Sequence, residues 1–245
     1  MKSVLKHIIR RILISLKFDL TQNLKYDRLS EQIVKQEFLG HHINALDIGA
    51  HDGDFLDLYL KHAPNGIHIG FEPLPHKFEK LQKKYAKSCI VYPYALSNYV
   101  GESTFNYVKN AEAYSGLRPR KYDTKTPLIE KIDVQVKTLD SLTIKHPIHF
   151  IKIDVEGGEF DALKGGVELL KRDMPMLLFE FGTGASDFYK TSAEAMYSFL
   201  CEEIGYCINT LEGYLSHKNQ PLNFTDFNIY YTEGTEYYFT AYKLD

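Results

Sequence analysis

Ala45-Leu46-Asp47-Ile48-Gly49-Ala50-His51-Asp52-Gly53-Asp54 is the stretch on which the fold turns. The run 43–48 is apolar except for Asn44 and Asp47 and stops on a glycine, the pattern of a short strand buried on both faces. Gly49 and Gly53 permit a tight turn and a close approach of a ligand to the backbone. Residues 54–63 then carry Phe55, Leu58, Tyr59 and Leu60 at helical spacing. Outward from this unit the alternation repeats. A strand is predicted at 67–71, a helix from Pro75 through Phe78, Leu81 and Tyr85, and a third strand at 89–94. Such alternation builds βαβ units and a parallel sheet. Further strands are predicted at 104–108, 132–136, 149–153 and 176–181, with helices at 30–40, at 159–171 broken by Gly165-Gly166, and at 193–204. Residues 109–128, with Gly116, Pro119 and Pro127, read as a long loop, and loops of that length in compact domains usually serve function. Gly234 between two aromatic runs predicts a hairpin of 227–232 against 237–242.

Ligands of an open parallel α/β sheet bind beyond the carboxyl ends of its strands. Five such ends carry the candidates. After the first come Asp47, Gly49, Ala50, His51 and Gly53. At the second, nineteen residues past Gly53, stands Glu72 between Phe71 and Pro73, where a carboxylate can accept both hydroxyls of a ribose. The turn lacks the third glycine of a dinucleotide fingerprint, and Asp52 and Asp54 beside it disfavour a pyrophosphate. A ligand without phosphates fits better. The third end, with Ala95 and Leu96, suits the edge of a base or an ordinary turn. The fourth, Asp154-Val-Glu156-Gly157-Gly158-Glu159, puts two carboxylates on one side of a strand end, either as chemistry or as caps for the next helix. Glu180 adds an acid at the fifth.

The segment Ile151-Lys-Ile-Asp-Val-Glu-Gly-Gly-Glu-Phe-Asp-Ala-Leu-Lys-Gly165, followed by Pro175-Met-Leu-Leu-Phe-Glu180, resembles the most distinctive stretch of the FkbM-type S-adenosylmethionine-dependent methyltransferases. The segment from Asp47 to Gly53, Phe71-Glu72-Pro73, Ala95-Leu96-Ser97 and Thr138-Leu139-Asp140-Ser141-Leu142 match in order and spacing. The resemblance implies a Rossmann-like class I methyltransferase sheet, mostly parallel, of seven strands with the last antiparallel. The resemblance runs from about residue 43 to about residue 182, and an S-adenosylmethionine-dependent methyltransferase domain is expected over 41–245 behind an N-terminal helical extension, 1–40. With S-adenosylmethionine as cofactor, Gly49, Ala50, His51 and Gly53 would wrap the methionine portion, Glu72 the ribose, and Ala95 and Leu96 the adenine, with Pro73 also against the cofactor. Asp47 would orient the turn, Phe55 would border the ligand and Asp154 would face its amino group or methyl. Asp154, Glu156 and Glu180 are the candidate catalytic acids toward the acceptor, with His51 as an alternative base. The same three acids suit Mg²⁺ as hard oxygen ligands, although their spacing does not require it and no metal is assigned. The expected acceptor is a hydroxyl of a glycan or other small molecule.

Composition narrows the alternatives. The 245 residues are 44% hydrophobic and 25% charged, with net charge −3, ordinary globular values that oppose disorder and a basic nucleic-acid-binding surface. Cys89, Cys201 and Cys207 form no C-x-x-C pair, which excludes a zinc ribbon. Residues 1–20 depart from the average. Lys2, Lys6, Arg10, Arg11 and Lys17 stand against Asp19 alone, leaving 24 Lys and Arg against 31 Asp and Glu in the remainder. Val4, Leu5, Ile8, Ile9, Ile12, Leu13 and Leu16 recur at helical spacing, so an apolar face is expected opposite a basic one. Packing on the domain's own surface or a dimer partner is the first reading, and peripheral contact with a membrane surface the second. The expected location is cytoplasmic, including the inner membrane face. Two competing functions are an NAD(P)-dependent oxidoreductase and a noncatalytic ligand-binding module docked through the basic segment.

Overall fold

The computed structural model describes residues 21–244; the segment 1–20, with its expected amphipathic helix, lies outside them. Helix α1 (Gln22–Phe38) begins at Thr21, whose hydroxyl accepts from the Leu24 N–H at 3.3 Å. It thus starts nine residues before the expected cap at Ser30, which is buried mid-helix instead. The alternation that follows is β1 (Ala45–Ile48), α2 (Asp54–His62), β2 (His68–Phe71), α3 (Pro75–Lys84) and β3 (Ile90–Tyr92). Leu56 and Tyr59 form the fully buried stripe of α2, whereas Phe55, Leu58 and Leu60 are only partly covered.

The expected third strand divides at Pro93, which has no N–H for a ladder. Its second half becomes β4 (Tyr94–Leu96), which leaves the main sheet and pairs in parallel with β6 (Ile129–Lys137); β6 in turn pairs antiparallel with β5 (Gly101–Val108). This three-stranded sheet, ordered β4-β6-β5, has its own small core around Leu74, Phe105, Val134 and Val136. The chain returns through β7 (Phe150–Ile153), α4 (Glu159–Lys164), α5 (Val167–Asp173) and β8 (Met176–Glu180). Gly165 and Gly166 separate α4 from α5, as expected.

The remainder is α6 (Ala193–Tyr197), continued by a π-helical stretch Ser198–Ile204, then β9 (Cys207–Thr210), α7 (Leu211–His217), α8 (Phe224–Glu233) and β10 (Tyr238–Tyr242). Here the predicted hairpin is overturned. Residues 227–232 lie within α8, capped by Asn223, whose side chain accepts from the Asp226 N–H at 2.9 Å, and ended by Gly234 at φ 65°. The buried residues Phe227 and Tyr231 are four apart, a helical period that the β-favouring aromatic composition masks. β10 pairs antiparallel with both β8 and β9. The main sheet therefore runs β3-β2-β1-β7-β8-β10-β9, seven strands of which β10, last in the chain, is antiparallel to its neighbours. Cores lie on both faces: Leu46, Ile48, Ile151, Leu177 and Phe179 belong to one, Ala45, Phe150 and Leu178 with Phe38 and Tyr59 to the other.

Candidate functional site

At the carboxyl ends of β1, β2, β7 and β8 a cleft of about 1090 Å³ opens, at the upper limit for a single small ligand and so roomy enough for two. Its near end is the turn after β1. Gly49, at φ 85°, lies so close to β7 that an added Cβ would sit 1.9 Å from the Asp154 carbonyl oxygen. The N–H groups of Gly49 and Ala50 both reach the Phe71 carbonyl, at 3.1 and 2.9 Å. His51 takes φ 47°, unusual for a residue with a Cβ, and its N–H donates to Glu72 Oε2 at 2.8 Å. The other Glu72 oxygen accepts from the Leu74 N–H at 2.9 Å. Burial raises the pKa of this carboxyl, opposed by those two backbone bonds. Each oxygen thus keeps one lone pair unused by these bonds.

Lys152, inside the otherwise apolar strand Phe150–Ile153, anchors the floor. Its ammonium donates to the Gly49 carbonyl at 2.8 Å and lies 3.3 Å from Asp47 and 3.8 Å from Asp154. Burial lowers its pKa, but Asp47 and Asp154 outweigh that and the net shift is upward. Asp47 is pushed up to about 6 by burial, Lys152 opposing. Asp154 accepts from the Tyr238 hydroxyl at 2.5 Å and from the side chain of Glu180. Burial works to raise Asp154, yet Lys152, Glu180 and Tyr238 hold it below the usual carboxylate range. Glu180 is pushed far upward, by burial first and by the Asp154 charge next, so it carries the proton that the pair shares.

Glu156 sits at φ 60° and Gly157 at φ 103°, where a Cβ would meet the Ala185 backbone at 2.6 Å. This bend points Glu156 at Arg120 of the long loop, with which it forms an ion pair; the guanidinium also lies 5.0 Å from the Tyr114 ring. Glu159 turns back instead and accepts from the Val155 and Gly157 N–H groups at 2.9 and 3.1 Å, bracing the bend. Oxygens of Asp154, Glu156 and Glu180 lie within 4.8 Å of one another. A cation held by these three carboxylates would have to compete with the Arg120 guanidinium for Glu156.

Of the sequence candidates, Asp47, Gly49, Ala50, His51, Phe55, Glu72, Pro73, Ala95, Leu96, Asp154, Glu156 and Glu180 all line the cleft. Gly53 is not among its lining residues. At φ 83° it ends the turn beneath Tyr85, whose hydroxyl donates to its carbonyl at 2.7 Å. His51 does not suit a base: its Nε2 must accept from the Lys77 ammonium at 2.9 Å, because an ammonium has no lone pair to offer. Lys77, almost fully buried, also pairs with Asp52 and Glu112, both at 3.1 Å, and so ties the turn to the long loop. Sequence reasoning missed Lys77, Arg120, Lys152 and Tyr238. Only Lys152 carried a signal, a charge inside a buried strand.

Comparison with known proteins adds three findings. The family described as methyltransferase FkbM domain matches residues 47–208. No curated protein matches. Among solved structures, the chain resembles the methyltransferase FkbM from Methylobacillus flagellatus KT with 16% identity and a TM-score of 0.51, over 82% of this chain and 43% of that one. Similarity extends to a SAM-dependent methyltransferase from Aquifex aeolicus (13% identity, TM-score 0.44, 86% and 87% covered). It also reaches SMU.1697c from Streptococcus mutans in complex with SAH (14%, 0.46, 88% and 96%). At these identities the likeness is one of fold, and the chain spans less than half the length of the Methylobacillus protein.

Proposed function

The chain belongs to the FkbM methyltransferase family, and from that premise we propose that it transfers the methyl group of S-adenosylmethionine to a hydroxyl of a glycan or other small-molecule acceptor. One observation carries the reading: a single cleft is lined both by a buried, backbone-bonded Glu72 and by the adjoining carboxyls of Asp154 and Glu180.

Bound S-adenosylmethionine would supply a sulfonium methyl, whose carbon an acceptor oxygen would attack in line, forming the O–C bond as the C–S bond breaks and the neutral thioether leaves. The chain contributes alignment, charge and proton management. Glu72 offers its remaining lone pairs to the ribose hydroxyls, and Pro73, Ala95 and Leu96 border the adenine. The turn Gly49–His51 receives the methionine portion, with Phe55 beside it. Asp47 holds Lys152, and Lys152 holds the Gly49 carbonyl, so the turn is set before ligand arrives. Asp154, kept anionic, is the counter-charge for a sulfonium. The proton leaving the acceptor hydroxyl passes to the Asp154–Glu180 pair, which already holds one proton and has room for a second. Glu156 and Arg120 face the acceptor together and orient its hydroxyls. Tyr114, Tyr237, Asn23 and Asp123 complete that end of the cleft, a mixture of aromatic faces and polar groups that suits a hydroxylated ring better than an aliphatic chain.

Calorimetric titration of S-adenosylmethionine and its demethylated product into wild type and Glu72→Ala tests the reading. Wild type should bind both, and Glu72→Ala should weaken binding about 10- to 100-fold, the worth of hydrogen bonds to a charged group. Absence of binding to folded wild-type protein would overturn it.

A further inference from the structure

Lys77, in the first turn of α3, is not among the residues lining the cleft, yet its ammonium joins two segments that are. Its side chain is 7% exposed. It donates to His51 Nε2 at 2.9 Å and pairs with Asp52 at 3.1 Å in the turn after β1, and with Glu112 at 3.1 Å in the long loop. An ammonium has three donors, so none is spare. On the turn side, Lys152 fixes the Gly49 carbonyl, whereas the half-exposed side chains of His51 and Asp52 are held by Lys77, and the His51 N–H in turn holds Glu72 at 2.8 Å. On the loop side, Glu112 opens the one-turn helix Glu112–Tyr114, whose Tyr114 ring carries the Arg120 guanidinium at 5.0 Å. The rest of the loop is lightly held. Between 109 and 128 only Ser115 and Gly116 are buried, and across the cleft its backbone is tied by the Lys121 N–H to the Gly184 carbonyl at 2.8 Å and by the Arg118 N–H to the Tyr189 hydroxyl at 3.1 Å. A segment that buries so little opens at small cost, and a tie at Glu112 therefore weighs on where it sits.

We propose that Lys77 is a positioning residue that couples the cofactor end of the cleft to the acceptor loop. A cofactor that settles on Glu72 and His51 fixes the outer half of the turn, Lys77 is fixed with it, and Glu112 is held where Tyr114 and Arg120 meet the acceptor. Because every donor of Lys77 is engaged, a displaced turn either breaks a bond to a nearly buried charge, which is costly, or carries Glu112 along. On the methyl-transfer reading, on which this inference rests, cofactor and acceptor then favour each other's binding reciprocally.

Limited trypsin digestion of the full chain tests it, since Lys121 and Lys125 are exposed cleavage sites in the loop. The demethylated cofactor, at a concentration that calorimetry shows to be saturating, should slow cutting there in wild type by about fivefold or more, the usual range of coupling between two sites. Lys77→Met and Glu112→Ala should be cut at rates that the demethylated cofactor no longer changes. Glu112→Ala severs the loop side alone and leaves Lys77 with His51 and Asp52, so it should still bind the demethylated cofactor, and it decides the matter if Lys77→Met does not. A merely structural Lys77 would raise both rates and preserve their ratio, and a wild-type ratio in Glu112→Ala overturns the coupling. So does wild type that binds the demethylated cofactor with no slowing. Wild type that binds no demethylated cofactor removes the methyl-transfer reading, and this inference with it.

Discussion

Glu159 and Asp47 lie beneath the cleft, where burial resists the charged form of each. Burial, reinforced by Asp154, pushes Glu159 up to about 7, against the backbone bonds from Val155 and Gly157 that favour its anion. Asp47 is pushed up to about 6. A carboxyl whose folded pKa exceeds its unfolded one stabilises the protein fully below the unfolded value and loses that contribution as pH rises through the folded value. The urea midpoint of wild type should therefore fall between about pH 5 and pH 8. Glu159→Gln, neutral throughout and with its amide oxygen still able to accept both N–H groups that now reach Oε1, should unfold near wild type at pH 5 and at higher urea than wild type at pH 8. Parallel pH profiles for the two proteins would contradict the assignment. Residues of this kind divide sharply in legibility. Glu72 announces itself by standing at a strand end nineteen positions beyond a glycine turn. Tyr238 does not, because its place at Asp154, eighty-four positions away along the chain, depends on β10 being inserted beside β8.

At the level of elements, the cleft exists because two turns approach neighbouring strands more closely than a side chain allows. Gly49 is the tighter case, combining φ 85° with a Cβ position 1.9 Å from the Asp154 carbonyl oxygen. Gly49→Ala should cost about 2–4 kcal/mol by adding a backbone clash to the left-handed penalty, and cofactor binding should be lost with the turn. Gly40 isolates the second effect, since it has φ 76° and nothing within 4 Å of its Cβ position. Gly40→Ala should cost only about 1 kcal/mol. Thermal unfolding of the two variants separates strain from clash, and equal losses would show that the approach of Gly49 to β7 is unimportant. The turn glycines were readable, as were the boundaries of the parallel strands. The division of the third strand at Pro93 and the helical state of 224–233 were not, because each depends on which sheet or core face the segment meets.

Over the whole molecule, α1 is bound into the sheet. Phe38 is fully buried, stacked on Tyr59 at 5.4 Å and edge-on to Phe150 at 5.5 Å. Polar ties bracket the helix: the Tyr26 hydroxyl donates to Glu236 at 2.6 Å ahead of β10, and the Tyr214 hydroxyl of α7 donates to Glu37 at 2.6 Å. α1 thus holds the first and last parts of the described chain together, on the face of the sheet opposite the Ile48 and Phe179 core. Phe38→Ala should destabilise by about 3–5 kcal/mol, read from the urea midpoint. The affinity of the folded protein for the demethylated cofactor should not change, because no atom of Phe38 reaches the cleft. A lowered affinity at unchanged stability would refute this account of α1.

By itself the sequence determined the parallel α/β sheet, the order of its cleft-lining strand ends, and the acids and glycines those ends carry. These are local signals: a short apolar run, a glycine that permits positive φ, a carboxylate at a strand end. The tertiary structure alone decided the electrostatic state of the cleft. Whether Glu180 holds a proton, whether Glu156 faces solvent or Arg120, and whether His51 keeps a free nitrogen depend on groups brought from Lys77, Arg120, Lys152 and Tyr238. A pKa follows from burial and from charges within a few ångströms, and no periodicity along a chain encodes which distant residue folding will place there.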